Sequence, residues 1–194
     1  MAKICNDPGH SGYPDPGATN PITGLREADV TLPIGKSVAH YLDAVGHLAR
    51  MTRTEWEQPE TDDLGYRVDI SNDWGADAFV SIHCNSAENP AAHGFEVWTS
   101  PGQTEGDRLA TCIFNQIAGE FPDMTGRTDY SDGDPDKESK FYVLTQTEAP
   151  ACLVEMAFIS NPLECQWLAD PAWQDRMARA ISRGITDFFI GRGV

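Results

Sequence analysis

Four side chains in this 194-residue chain are of the types that metal-assisted hydrolysis uses: His10, Glu27, His83 and Glu155. Two imidazoles and one carboxylate make a zinc site whose fourth position stays open, and His10, Glu27 and His83 supply that set. Zinc held there would lower the pKa of water to about 7. A carboxylate beside it, Glu155, can take a proton from attacking water and pass it to a leaving amine. That is chemistry for cleaving an amide. Each residue also has an ordinary reading. A loop histidine is often solvated, a first-turn glutamate suits a helix dipole, and a strand-end histidine often bonds a carbonyl. Glu155 is the least easily explained in this way. An acid after Ala151-Cys152-Leu153-Val154, in an apolar strand, is costly unless it is paired or functional.

The elements that must position these residues alternate in type. Lys3–Asn6 forms a first strand that runs into a Pro/Gly loop around His10. There Pro8 restricts Asp7, and Gly9 and Gly12 allow close backbone approach. Residues 27–45 have helical periodicity on Val30, Ile34, Val38, Tyr41, Leu42 and Val45, with Gly46 as the stop. Pro33 is tolerated if that helix begins late. Strands are expected at 47–52, 78–83, 94–99, 141–144 and 151–156. Helices are expected at 64–74 (Leu64, Val68 and Ile70 inward), 105–120 and 171–189. The acidic, Pro- and Gly-containing stretch 121–140 is expected to be a long surface loop. Alternation of strand and helix predicts an α/β fold: a mostly parallel twisted sheet with helices on both faces, and the zinc site at the carboxyl edge of the strands. His10, His83 and Glu155 lie at or just past strand ends, and Glu27 opens a helix, so all four can reach that edge.

Composition narrows the partners. The length fits one catalytic domain over 1–194. A net charge of −16 argues against nucleic acid and against electrostatic holding of anionic membranes or wall polymers. No apolar run is long enough to insert in a membrane. No secretory leader is evident, so synthesis in the cytoplasm is expected. The five cysteines are odd in number and lack a C-x-x-C pair; free buried thiols are expected.

Four motifs in order carry a resemblance to a family. They are Asn6-Asp7-Pro8-Gly9-His10-Ser11-Gly12 with Asp15-Pro16-Gly17-Ala18; Glu27 ahead of a helix, with Met51-Thr52-Arg53 beyond; Arg67 to Asn72, then Ala76 through Ser86; and Ala149 through Glu155 with Phe158-Ile159-Ser160-Asn161. Through these the chain resembles the zinc-dependent N-acetylmuramoyl-L-alanine amidases of the Amidase_3 type, found in autolysins, sporulation amidases and phage endolysins. Ser11 replaces the usual Gly and Cys84 a small residue; neither removes a ligand, and alternation should turn Cys84 away from His83.

The resemblance implies one Zn2+ per chain on His10, Glu27 and His83, with Glu155 as general base. It implies bacterial peptidoglycan as substrate, cut between N-acetylmuramic acid and L-alanine. An endolysin, monomeric and reaching the wall through a holin-type route, is the expected setting. Asp7 and Asn85 are candidates to support the ligands, and Arg127 and Lys140 to bind stem-peptide carboxylates. Two alternatives share the fold: a zinc peptidase acting within the stem peptide, and a wall-binding module without turnover.

Overall fold

A computed structural model describes residues 1–191. Six strands form one sheet: β1 (Lys3–Pro8), β2 (Leu48–Met51), β3 (Ala78–Asn85), β4 (Glu96–Thr99), β5 (Lys137–Glu138) and β6 (Ala151–Phe158). Their order is β2-β1-β3-β6-β4-β5. The pairs from β2 to β6 are parallel, whereas β4 runs antiparallel to β6. The reversal brings the start of β4 to the edge where β1, β3 and β6 end, so Glu96 lies opposite Glu155. The expected mostly parallel α/β sheet is the one observed.

The two faces are covered unequally. On one, α1 (Glu27–Ala44), α3 (Glu105–Glu120) and α6 (Pro171–Ile190) bury the larger core, with Ile4, Val80, Ile82, Cys84, Val154 and Met156 pointing into it. On the other, α2 (Leu64–Trp74) and α4 (Tyr142–Gln146) cover a smaller cluster that includes Cys5, Phe79 and Leu153. Strand alternation puts Asp7, Ser81, His83 and Glu155 on this second face. Past Phe79 and Leu153 its residues turn polar, and a cleft opens beyond the short helices. Cys84 falls on the opposite face from His83, and all five cysteines are free.

Several elements depart from the sequence reading. Residues 141–144, expected as a strand, begin helix α4. Both neighbours of β6 are already in place, so no slot remains for a strand there, and the Thr145 N–H bonds the Phe141 carbonyl instead. A further helix, α5 (Pro162–Ala169), starts at Asn161, whose side chain accepts from the Leu163 and Glu164 N–H groups, with proline at the first turn. Helix α1 does not begin late. Pro33 lies inside it and removes the N–H that would bond the Asp29 carbonyl. Leu64 is 47% exposed and lines the cleft rather than packing inward. No described helix is long and apolar enough to cross a membrane.

Candidate metal centre

The end of β1 is held in a conformation that few side chains adopt. His10 has φ +65°, in the left-handed region. Two buried arginines fix this backbone. Arg67 donates from Nη1 to the Pro8 carbonyl (2.9 Å) and from Nη2 to that of His10 (2.7 Å). Arg53 donates to the carbonyls of Gly9 and Ala28, tying the loop to the first turn of α1. The loop thereby points the His10 ring at Glu27. Sequence motifs contain both arginines, but nothing local to them signals this use.

Glu27 is the centre of the cluster. Its Oε2 lies 2.9 Å from His10 Nε2, and its Oε1 2.9 Å from His83 Nδ1. It also accepts backbone N–H bonds from Ala18 (3.0 Å) and Cys84 (2.8 Å). On the far side of the His10 ring, Nδ1 meets Asp15 Oδ2 at 2.6 Å. One donor atom each from His10, Glu27 and His83 fall within 4.8 Å of one another. Burial would lower the His10 pKa, but the Glu27 and Asp15 carboxylates outweigh it and raise the value to about 9. Burial would raise Glu27, and the two imidazoles instead hold it far below the ordinary carboxylate range.

This set fits a divalent metal. Its donors are two imidazole nitrogens and a carboxylate, and one imidazole is backed by an outer carboxylate. Two glycines leave room for it. A Cβ on Gly9 would lie 2.3 Å from His83 Cε1, and one on Gly17 2.5 Å from His10 Cδ2 and 2.8 Å from Glu27 Oε2. Side chains at either position would displace the imidazoles and the Glu27 carboxylate.

Glu155 stands beside the cluster, in register with His83 across β3 and β6. The residue is half-buried, but its Oε2 is shielded and has no hydrogen-bond partner. Burial, reinforced by the charges of Glu27 and Glu96 and opposed by His83, raises its pKa to about 7. A carboxyl group poised near neutrality can both accept and return a proton. A cleft of about 460 Å³ exposes these groups, walled by Leu64, Phe141 and Tyr142.

The remaining candidates divide. Asp7 does not approach the cluster directly. It is buried and paired with Arg67, Ser81 and Thr52, so it braces the loop below His10. Asn85 lines the cleft and donates to Glu96. Arg127 also bonds Glu96, as does Lys137, which the sequence reading did not single out. Lys140 is not brought to the cleft. It lines a separate depression with Ser100, Thr104 and Pro150, where β6 begins. The sequence distance from Lys137 to Lys140 is short, but β5 turns Lys137 toward Glu96 and the chain leaves the sheet before Lys140.

An unpartnered carboxyl group beside a His–Glu–His cluster that could hold a metal ion, at the edge of the sheet, is an arrangement suited to hydrolysis. Comparison with known proteins gives the family. The model of the family Amidase_3, N-acetylmuramoyl-L-alanine amidase, matches residues 4–187. The germination-specific N-acetylmuramoyl-L-alanine amidase of Bacillus subtilis is 29% identical over 96% of this chain and 79% of its own length. LytC of the same organism is 32% identical over 94% of this chain, which spans only 34% of that relative. The solved structure of the amidase AmiC2 of Nostoc punctiforme superposes with a TM-score of 0.85 at 35% identity, covering 97% of each chain. The chain belongs to the Amidase_3 family of N-acetylmuramoyl-L-alanine amidases.

Proposed function

We propose that this chain hydrolyses the amide between the lactyl group of N-acetylmuramic acid and L-alanine in peptidoglycan, using one zinc ion on His10, Glu27 and His83. The observation that carries the reading is the shielded, unpartnered Oε2 of Glu155 beside the cluster. When bound, zinc supplies a Lewis acid that polarises the scissile carbonyl and acidifies water.

The chain's own residues do the rest. Glu155 accepts the proton of the attacking water as oxygen adds to the lactyl carbonyl. It returns that proton to the alanine nitrogen as the C–N bond breaks, leaving a carboxyl group and a free amine. Asp15 fixes the ring orientation of His10. Arg67 and Arg53 keep the loop carbonyls in place so that the ligands do not have to reorganise. Leu64, Phe141 and Tyr142 offer an apolar wall to the substrate.

The test is digestion of purified sacculi by zinc-loaded protein, with free N-terminal alanine and reducing sugar ends assayed separately. New N-terminal alanine without reducing ends is the expected product. Other new N-termini would replace this reading with a stem-peptide peptidase. Binding to sacculi at full zinc occupancy, with no product, would replace it with a wall-binding module.

A further inference from the structure

A stem peptide carries carboxylates, and the cleft itself has few groups to receive them. Its walls include Asp15, Glu27 and Asp62. Among the described residues that line it, the one guanidinium is Arg67, which is buried and already engaged with Asp7 and with the carbonyls of Thr61, Pro8 and His10. Cations with donors to spare stand one strand further along. Glu96 lies opposite Glu155 across β6 and β4, on the same face of the sheet. Its Oε1 accepts from Asn85, which lines the cleft, and its Oε2 accepts from Lys137 Nζ and from Arg127 Nε, the latter at 3.0 Å. Burial would raise the Glu96 pKa, but the two cations outweigh it and lower it, so the carboxylate stays ionised.

One carboxylate therefore holds two positive charges, and one is in excess. The next acid near Arg127, Glu164, is engaged with the N–H groups of Gly94 and Phe158. Arg127 commits only Nε to Glu96. Its Nη1 and Nη2 make no hydrogen bond with the described residues, and its side chain is 38% exposed. Lys137 Nζ stands 5.2 Å over the Trp98 ring, which packs edge-on against Phe141 of the cleft wall. The pair thus flanks the cleft on the side away from His83. Spacing selects what it would receive. Opposed residues on antiparallel strands are about 5 Å apart, and the cations lie about one hydrogen bond beyond Glu96. An extended peptide advances about 3.3–3.6 Å per residue, so a carboxylate on the second residue lies about 7 Å from the amide nitrogen cut ahead of the first. In peptidoglycan that second residue is D-glutamate joined through its γ-carboxyl. Its α-carboxyl is left as a free carboxylate or, in amidated walls, as a carboxamide.

We propose, on the amidase reading above, that Arg127 and Lys137, held by Glu96, form the subsite for the free α-carboxylate of the second stem-peptide residue and set a preference for unamidated walls. The two Nη groups of Arg127 can donate in parallel to a carboxylate. A carboxamide has one acceptor oxygen and would turn its own N–H donors toward the cations. Lys137 takes the place that residue order alone gave to Lys140, because β5 turns it toward Glu96.

The experiment uses the zinc-loaded full chain and two tetrapeptide muropeptides that differ only in whether the α-carboxyl of the second residue is free or amidated. Release of the peptide gives kcat and KM for each. The parent protein should favour the free acid by about tenfold in kcat/KM, with the difference carried by KM. Arg127→Gln should bring that ratio close to one, and Lys137→Gln should lower it by a smaller factor. The ratio compares two substrates on one preparation, so partial loss of folded protein cancels, and if one variant fails to fold the other supplies the comparison. Equal kcat/KM for both muropeptides in the parent, or a preference for the amide, overturns the proposal and leaves the amidase reading intact. A preference that survives in both variants also overturns it, since activity lost equally on both substrates would mean that the cations only brace β5. Cleavage of neither muropeptide would remove the amidase reading and this subsite with it.

Discussion

Asp7 and Glu155 lie on the same face of the sheet, near the carboxyl edge, on strands separated only by β3. Both are acids in largely buried strands, and their surroundings drive them in opposite directions. Asp7 is fully enclosed. Burial would raise its pKa, but the Arg67 guanidinium at 2.6 Å and the hydroxyls of Ser81 and Thr52 outweigh that and lower it. Glu155 has no arginine paired with it, and its shielded Oε2 has no hydrogen-bond partner; burial outweighs the opposing charge of His83. Its neighbours include the carboxylates Glu27 and Glu96, and its pKa rises to about 7. The first acid is consumed by holding the His10 loop in place. The second keeps an unpartnered oxygen, which is what the proposed proton transfer needs. An acid in a strand is therefore not in itself a sign of catalysis; the missing partner is.

Replacement of each acid by its amide should separate the two roles. Glu155→Gln keeps the shape and removes the proton acceptor, so turnover on sacculi should fall by about 10²–10⁴-fold with zinc content and melting unchanged. A variant that retained most of its turnover would remove Glu155 from the mechanism. Asp7→Asn leaves the Arg67 guanidinium buried without its charge partner, and should cost about 3–5 kcal/mol of stability in urea unfolding. Unchanged stability together with lost turnover would instead place Asp7 in the chemistry.

The pH responses should have opposite slopes in the zinc-free protein. The folded-state pKa of Glu155 is raised, so its contribution is complete below the ordinary glutamate value and is lost as pH rises through about 7. Glu155→Gln should therefore gain stability relative to the parent at pH 8 and little at pH 4. The folded-state pKa of Asp7 is lowered, so its contribution is present above the ordinary aspartate value and is lost as pH falls below it. The penalty of Asp7→Asn should be greatest at pH 8 and shrink in acid. Parallel slopes in a pair of urea titrations would contradict the contrast. The smallest effect is expected at Lys140. It lies outside the cleft, so Lys140→Ala should change KM for muropeptides by less than about twofold, as surface charges contribute little. A larger change would bring the separate depression into substrate binding.

What could be read from residue order was whatever depends on near neighbours. Helices α2 and α3 have the bounds that periodicity predicts, 64–74 and 105–120, because a helical stripe is a local pattern. The cap of α5 was equally local, at Asn161-Pro162, and could have been found. Residue types and strand ends also pointed to His10, Glu27, His83 and Glu155, since a ligand donor must follow a strand or open a helix to reach the edge of such a sheet. The antiparallel course of β4 could not be read in this way, nor could the helix at 142–146. Both depend on which positions beside β6 were already taken.

Partner choice was beyond local pattern for the same reason. Arg67 lies sixty residues from Asp7, and Lys137 forty-one from Glu96, so only the folded chain decides that each pair meets. Sequence by itself determined which groups could ligate, titrate or pack, because those are properties of side-chain type and short-range spacing. The tertiary structure decided which acids are neutralised and which stay unpartnered, because the energy of a buried charge is set by every group around it in space.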